Sequence, residues 1–188
     1  INDRIRIDKL HYKNELLVSI LNLLKAVVNE QKIENFLDIV TENACKLLKV
    51  NYSSCFLYNE KTKLLECISS YNVSNSNILN AKILEKSGII GFVFEKMQPL
   101  LLNDPIDRSM FNDYIPKELP IKSAGCIPLI GMNKKIGVLN VTVIDNDRLL
   151  DEDDLSLLKV MGFFIATAYE KLENLDKLNK LMSKLEEE

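Results

Sequence analysis

The stretch SAGCIPLIGMNKKIGVLNVTVID, residues 123–145, decides the fold of this chain. Residues 123–132 and 136–145 are two runs rich in β-branched and aliphatic side chains, which are typical of strands. The polar pair Asn133 and Lys134 lies between them, at the spacing of a tight turn. The sequence therefore predicts a β-hairpin here.

Alternation of side chains gives this hairpin two different faces. If the two polar residues alone form the turn, Ile127 lies opposite Asn140 and Gly125 lies opposite Thr142. The face with Asn140 and Thr142 carries two polar groups, which suits a ligand cavity. The other face of the second strand is purely apolar and is expected to pack on helices: Leu139, Val141 and Val143.

Outward from the hairpin, hydrophobic periodicity predicts further elements on both sides. Residues 8–30 and 33–48 are predicted to form either two helices or one bent helix, and the polar segments 72–80 and 104–120 are predicted to be loops. This order favours an α+β sandwich on an antiparallel sheet. The other predicted elements are a hairpin of strands 52–58 and 64–71, one or two short helices within 83–97, a strand at 100–103 and a long last helix.

The last helix carries an apolar stripe that extends beyond the sheet. Asp151 is expected to cap its first turn together with Asp154. After Leu175 the stripe either slips by three residues or places Asn179 inside. Beyond Lys171 the stripe is expected to pair with a second copy in a parallel homodimer. From Leu158 to Leu175 the apolar residues of this stripe are spaced by three and four residues in turn, as in a coiled coil: Leu158, Met161, Ile165, Ala168, Leu172 and Leu175.

Charge and composition disfavour several classes of protein. The 24 Lys and Arg residues against 27 Asp and Glu residues give a net charge of −3, which disfavours nucleic-acid binding and contact with an anionic membrane. No stretch of the sequence is apolar enough to span a bilayer. Cys45, Cys55, Cys67 and Cys126 form no CxxC pair, so we expect reduced, buried thiols in a cytoplasmic protein. The missing initiator Met and the charged end predict a segment of a longer protein.

Five short motifs, in this order along the chain, resemble those of a GAF domain. They are SGIIGFVFE at 87–95, QPLLLND at 98–104, AGCIPLI at 124–130, IGVLN at 136–140 and LDEDDLSLL at 150–158. The resemblance implies a six-stranded antiparallel sheet with the N- and C-terminal helices packed on one face. It implies a ligand cavity on the other face, under loops and short helices.

The resemblance also divides the chain into three parts. Residues 1–31 would be an N-terminal signalling and dimerisation helix, residues 32–170 the GAF domain, and residues 171–188 a C-terminal coiled-coil linker helix. The implied function is a sensor without enzymatic activity in a bacterial signalling protein, either a two-component sensor histidine kinase or a diguanylate cyclase. The terminal helices of a homodimer would relay the state of a small-molecule ligand to an output domain in the same polypeptide.

The candidate ligand-contacting residues lie on the polar face of the hairpin and in the irregular segment before it, because binding residues concentrate on such segments. No catalytic residue and no metal ligand is predicted. The candidates are Asn103, Asp104, Arg108, Phe111, Tyr114, Asn140 and Thr142.

The sequence does not favour any of the cofactors that other GAF domains bind. Of the cyclic-nucleotide signature only Asp154 is matched, and helix capping already accounts for it. His11 is the only histidine and lies outside the domain core, which disfavours haem and non-haem iron. A bilin would need a cysteine in the irregular segment, and none lies between Cys67 and Cys126. The ligand therefore stays unknown.

Two alternative functions remain open. Some GAF proteins reduce free methionine sulfoxide, but that family places a cysteine where this chain has Phe92 and Val93. A ligand-free dimerisation module would fill the cavity with its own side chains and bond Asn140 and Thr142 internally.

Overall fold

The computed structural model describes residues 2–72, 81–103, 121–132, 134–144 and 148–186. These residues contain four helices and six strands. The helices are α1 (Asn2–Asn29), α2 (Ile33–Leu48), α3 (Gly88–Lys96) and α4 (Glu152–Glu186). The strands are β1 (Tyr52–Asn59), β2 (Leu64–Tyr71), β3 (Lys82–Leu84), β4 (Leu100–Leu102), β5 (Ser123–Ile130) and β6 (Lys135–Val143).

The six strands form an antiparallel sheet in the order β3-β2-β1-β6-β5-β4. The predicted α+β fold class is therefore confirmed. The β1–β2 and β5–β6 hairpins meet at the centre of the sheet, where β1 pairs with β6. The hairpin predicted from residues 123–145 thus supplies two of the four inner strands.

Helices α2 and α4 cover one face of the sheet, as predicted. β6 turns three fully buried side chains toward them, Leu139, Val141 and Val143. Fully burying a side chain of this kind contributes about 1.5–3 kcal/mol to folding. Opposite this row, the two helices contribute Phe36, Leu37, Val40, Leu48, Leu158, Met161 and Ile165 to the same core.

The predicted register of the β5–β6 hairpin is wrong by one residue. Ile127 does not face Asn140, since Cys126 lies opposite Asn140 instead. Gly125 does not face Thr142 either, because the whole pairing shifts with it. The assignment of Asn140 and Thr142 to the face away from the helices is unaffected, because it depends on alternation along β6 alone.

A longer turn and a bulge cause this shift. β5 ends at Ile130 and β6 begins at Lys135, and between them the Gly131 N–H donates to the Lys134 carbonyl at 2.9 Å. Ile130 then pairs with Lys135, and the register changes between Leu129 and Ile130. A bulge adds one residue on one strand and is a local feature that hydrophobic patterning does not encode.

Within 83–97 the predicted short helix is present as α3, but the sequence did not predict the strand that precedes it. Residues 82–84 form β3, which pairs with β2. Gly88 has a φ of 64° at the turn into α3, a value that glycine adopts without strain. Gly91 does not interrupt the helix; an added Cβ there would lie 2.7 Å from the Leu84 carbonyl oxygen. The two glycines therefore bring α3 close to β3.

Helices α1 and α2 are two separate helices. α1 ends at Asn29 and α2 begins at Ile33. α1 buries Leu23 and Ala26 in the helix-side core. The apolar row that defines α1 in the sequence points away from that core and is exposed: Leu10, Leu17, Leu21, Leu24 and Val28.

The start of α4 is capped as predicted. The Asp154 N–H donates to Asp151 Oδ1 at 2.9 Å, and the Asp151 N–H donates to Asp154 Oδ2 at 3.0 Å. Arg148 forms an ion pair with the buried Asp154 at 2.5 Å and donates to the Leu48 carbonyl at the end of α2. Through Arg148, Asp154 therefore connects the start of α4 to the end of α2.

Gly137 is the position where β6 approaches β1 most closely. An added Cβ would lie 1.9 Å from the Phe56 carbonyl oxygen, which is backbone and cannot rotate away. We expect Gly137→Ala to lower the free energy of unfolding by about 2 kcal/mol or more, because the two central strands must separate. Urea unfolding followed by circular dichroism measures the change.

Gly131→Ala is the matched control for this prediction. The atom nearest to an added Cβ there is the carboxylate end of Glu170, a flexible side chain that can move. Its cost is expected to stay below that of Gly137→Ala. Equal costs for the two variants would contradict the close approach of β6 to β1.

Candidate functional site

The sheet face opposite α2 and α4 borders a cavity of about 390 Å³, which we call the hollow. Its volume lies within the range of small-molecule binding sites. The hollow lies between β3, β5, β6 and the start of α3. Its described lining consists of Lys82, Ile83, Leu84, Ser87, Gly88, Ile89, Ile90, Ile121, Ala124, Asn140 and Thr142.

Asn140 and Thr142 supply the polar groups on the sheet side of the hollow. They are successive residues on the same face of β6, and the Asn140 amide donates to Thr142 Oγ1 at 3.3 Å. Thr142 is 8% exposed, and Asn140 is half-buried. An amide and a hydroxyl offer both donors and acceptors, so the pair can orient a small polar ligand against apolar walls.

The first turn of α3 forms another wall of the hollow. Ser87 precedes the helix and makes no side-chain hydrogen bond to cap it. The first N–H groups of a helix have no acceptor within the helix. Gly88 and Ile89 therefore present backbone donors close to the hollow, in addition to the side chains of β6.

The structure brings together two of the seven predicted ligand-contacting residues. Asn140 and Thr142 line the hollow. Asp104, Arg108, Phe111 and Tyr114 lie outside the described residues.

Asn103 has structural partners on the side of the sheet away from the hollow. Its amide donates to the Leu150 carbonyl at 2.8 Å and accepts from Ser123 Oγ at 2.6 Å. Ser123 Oγ in turn accepts from the Leu150 N–H at 3.0 Å. Asn103 thereby connects β4 to β5 and to the segment that enters α4, which the sequence pattern alone does not distinguish from a ligand contact.

The residues at the start of α3 are the part of the site that the predicted candidates omit. Ser87, Ile89 and Ile90 line the hollow, as do Lys82 and Ile121. The glycines of the SGIIGFVFE motif are the signal that could have pointed to this wall, because closely spaced glycines permit the close approach of a helix to a strand.

All four cysteines are buried, as predicted. Burial raises the pKa of Cys55 and Cys126 well above the ordinary value of a thiol. It raises the pKa of Cys67 to about 12, although a hydrogen bond with the Ser69 backbone opposes the shift. Burial also raises the pKa of Cys45, against a hydrogen bond with Ser53. Reactive thiols have lowered pKa values, so these four lack the property that a nucleophile needs.

Two further features are absent from the described part of the chain. No helix within it is long and apolar enough to cross a membrane. It also brings together no three His, Cys, Asp or Glu side chains that could hold a metal ion.

Comparison with known families agrees with the sheet topology. A family model described as a GAF domain matches residues 30–170. This chain belongs to the GAF domain family. GAF domains are a sensor and regulatory fold of signalling proteins. No curated protein matches the sequence.

Solved structures share this GAF fold at low sequence identity. The GAF domain of an Acinetobacter phosphoenolpyruvate-protein phosphotransferase is similar with a TM-score of 0.74 and 18% identity, over 86% of this chain and 96% of that one. A methyl-accepting chemotaxis protein has a TM-score of 0.69 and 15% identity, over 81% and 98%. A free methionine-R-sulfoxide reductase from Neisseria meningitidis has a TM-score of 0.69 and 16% identity, over 83% and 89%. At these identities the similarity establishes the fold.

The raised pKa of Cys67 predicts a loss of stability in alkaline solution. The thiol ionises near pH 9 in the unfolded chain, whereas the folded domain keeps it protonated to about pH 12. The free energy of unfolding therefore decreases as the pH rises through this interval, by up to about 1.4 kcal/mol per pH unit for this group. Urea unfolding at several pH values measures the slope.

The Cys67→Ala variant is the control for this pH dependence. It loses packing at every pH, but its slope between pH 10 and 11 is expected to be shallower because one ionising thiol has been removed. The same slope in both proteins would show that the Cys67 thiol is accessible to solvent in the folded state.

Proposed function

We propose that this GAF domain senses a small molecule in the hollow and relays its presence through the terminal helices of a homodimer. The observation that carries the proposal is the hollow itself, with the amide of Asn140 and the hydroxyl of Thr142 on a mostly apolar surface. A few fixed polar groups among apolar walls are typical of ligand sites. The ligand would be small and partly polar, and its binding would shift the population of two conformations of the domain.

The terminal helices support the dimeric part of the proposal. α4 continues without interruption to Glu186, and its apolar residues from Leu175 onward are exposed. The apolar row of α1 is exposed as well, with Val28 at 71%. Contiguous exposed apolar surface on a helix favours burial against a partner. A parallel homodimer buries equivalent stripes of both copies along one axis. The stripe on α4 comprises Leu175, Leu178, Leu181, Met182 and Leu185.

The domain would act as a cytoplasmic regulatory part of a bacterial signalling protein without enzymatic activity of its own. A sensor histidine kinase or a diguanylate cyclase is the proposed context, since both need a dimeric input to an output domain in the same polypeptide. Two observations support a regulatory role. The GAF family is a sensor fold, and a methyl-accepting chemotaxis protein is among the structures with this fold.

Two other functions are less well supported. A methionine sulfoxide reductase activity would match the fold of the Neisseria enzyme, but it needs a reactive thiol and all four cysteines here are buried with raised pKa values. A ligand-free dimerisation module agrees with the Asn140–Thr142 hydrogen bond. The volume of the hollow favours a ligand over this module, because a module filled by its own side chains would leave no such space.

Native mass spectrometry of the protein purified from its host tests the sensor proposal. We expect the wild-type protein to retain a small molecule, and we expect Asn140→Leu to lose it, because the change removes the amide donor and acceptor without adding bulk. Asn35→Leu, on the exposed surface of α2, is the matched control and should retain the molecule. Protein that carries no molecule in any preparation would favour the dimerisation module.

Sedimentation equilibrium tests the dimer. Leu178→Glu places a charge on the exposed stripe of α4 in both copies and is expected to weaken dimerisation by about 100-fold or more. Lys180→Glu changes charge on the other side of the same helix and should leave the association constant nearly unchanged. Equal association of both variants would place the dimer interface elsewhere.

A further inference from the structure

Two adjacent lysines at the start of β6 contact opposite sides of the sheet. Lys135 Nζ lies 3.2 Å from the Glu95 carbonyl and 3.4 Å from the Phe94 carbonyl, in the last turn of α3. It also lies 5.3 Å from the centre of the Phe94 ring. An ammonium group at this position binds the carbonyls that the helix leaves without partners. Lys135 therefore holds the end of α3 to β6.

Lys134 contacts α4 on the other side of the sheet. Its Nζ lies 2.5 Å from Glu173 Oε1 and 4.7 Å from the centre of the Tyr169 ring. Two residues earlier in the same turn, the Met132 N–H donates to Glu170 Oε1 at 2.5 Å. The turn of the β5–β6 hairpin is thus attached to one short stretch of α4, residues 169–173.

The same stretch of α4 also holds the end of α1. Lys171 Nζ donates to the carbonyls of Val27 at 2.9 Å, Val28 at 2.6 Å and Glu30 at 3.2 Å. These carbonyls belong to the last turn of α1 and to the residue that follows it. Residues 169–173 therefore contact the hairpin turn and the end of α1 at once.

Helix α3 connects these contacts to the hollow. Its first turn lines the hollow, and its last turn is held by Lys135. α3 has nine residues, so these two ends are separated by a helix of about 14 Å that moves as a rigid unit. A change at the first turn thus displaces the carbonyls that Lys135 binds.

We propose that Lys134 and Lys135 couple the hollow to the terminal helices. Lys135 moves with α3, and Lys134 transmits this displacement to residues 169–173 of α4 and, through Lys171, to α1. This coupling rests on the proposed sensing function and names the contacts that carry it. It requires α3 to have two positions that occupancy of the hollow biases.

The ion pair between Lys134 and Glu173 contributes little to the stability of the fold, which suits a role in coupling the hollow to α4. The Lys134 and Glu173 side chains are about one quarter and one third exposed, at 26% and 33%. Lys134 lowers the pKa of Glu173 through a hydrogen bond and through charge, so Glu173 stays ionised at neutral pH. Partly exposed ion pairs contribute little to stability. Removing both lysines is therefore expected to leave the domain folded, which makes the proposal testable.

Hydrogen exchange of the whole 188-residue chain, read by mass spectrometry, tests the coupling. Thr142→Leu serves as the probe because its larger side chain fills part of the hollow without any added ligand. Ala124→Leu, which enlarges a side chain on the same face of the neighbouring strand, is a second probe if the first variant does not fold. In an otherwise wild-type chain, we expect the probe to change exchange in segments 22–29 and 166–178 by about threefold or more.

The decisive comparison adds Lys134→Met and Lys135→Met to the probe variant. We expect the change in 22–29 and 166–178 to disappear in this background, while the change at the first turn of α3 persists. Lys96→Met, which removes a different exposed ammonium group from the last turn of α3, should leave the relay intact.

Two results would overturn the coupling. If the change in α4 persists without both lysines, the relay takes another route. If the probe changes no exchange in α4 in any background, the hollow is not coupled to the terminal helices through this hairpin. Neither result affects whether native mass spectrometry finds a small molecule bound to the wild-type protein. A failure of the coupling is therefore distinguishable from a failure of ligand sensing.

Discussion

The alternation of side chains along β6 is the constraint on which the rest of the structure depends. Leu139, Val141 and Val143 face the helices and are fully buried, whereas Asn140 and Thr142 face the hollow. A shift of β6 by one residue would put two polar groups into the helix-side core, where each unpaired group costs about 1–3 kcal/mol. The same strand therefore fixes the core, the register of the central sheet and the polar groups of the candidate site.

Much of the fold could be predicted from the sequence because it depends on periodic burial. The two hairpins, the helix-facing row of β6 and the cap formed by Asp151 and Asp154 all follow patterns of two to four residues. The register of β5 and β6 could not be predicted, since a four-residue turn and a bulge set it. The strand at 82–84 was missed because three residues are too few to show alternation, whereas the equally short β4 follows Pro99, which ends the helical pattern before it.

The candidate site could be predicted only in part, for a different reason. Asn140 and Thr142 were identified because strand alternation gives their direction without knowledge of the rest of the fold. Asn103 has the same residue type as Asn140 but forms its hydrogen bonds with Ser123 and Leu150, which are distant in sequence. Such partners exist only once the chain has folded. The wall formed by α3 likewise depends on the packing of a short helix against the sheet.

The hydrogen bonds and the ion pair that join α4 to the hairpin turn and to the end of α1 come from a stretch of five residues, YEKLE, 169–173. Downstream of this pentapeptide the described residues of the helix are exposed, so packing in the domain core does not restrict which side chains they carry. Another domain joined at residue 174 would therefore leave the contacts of this pentapeptide intact. Such a domain would need only to begin with a helix that continues α4 without interruption and in the same helical phase.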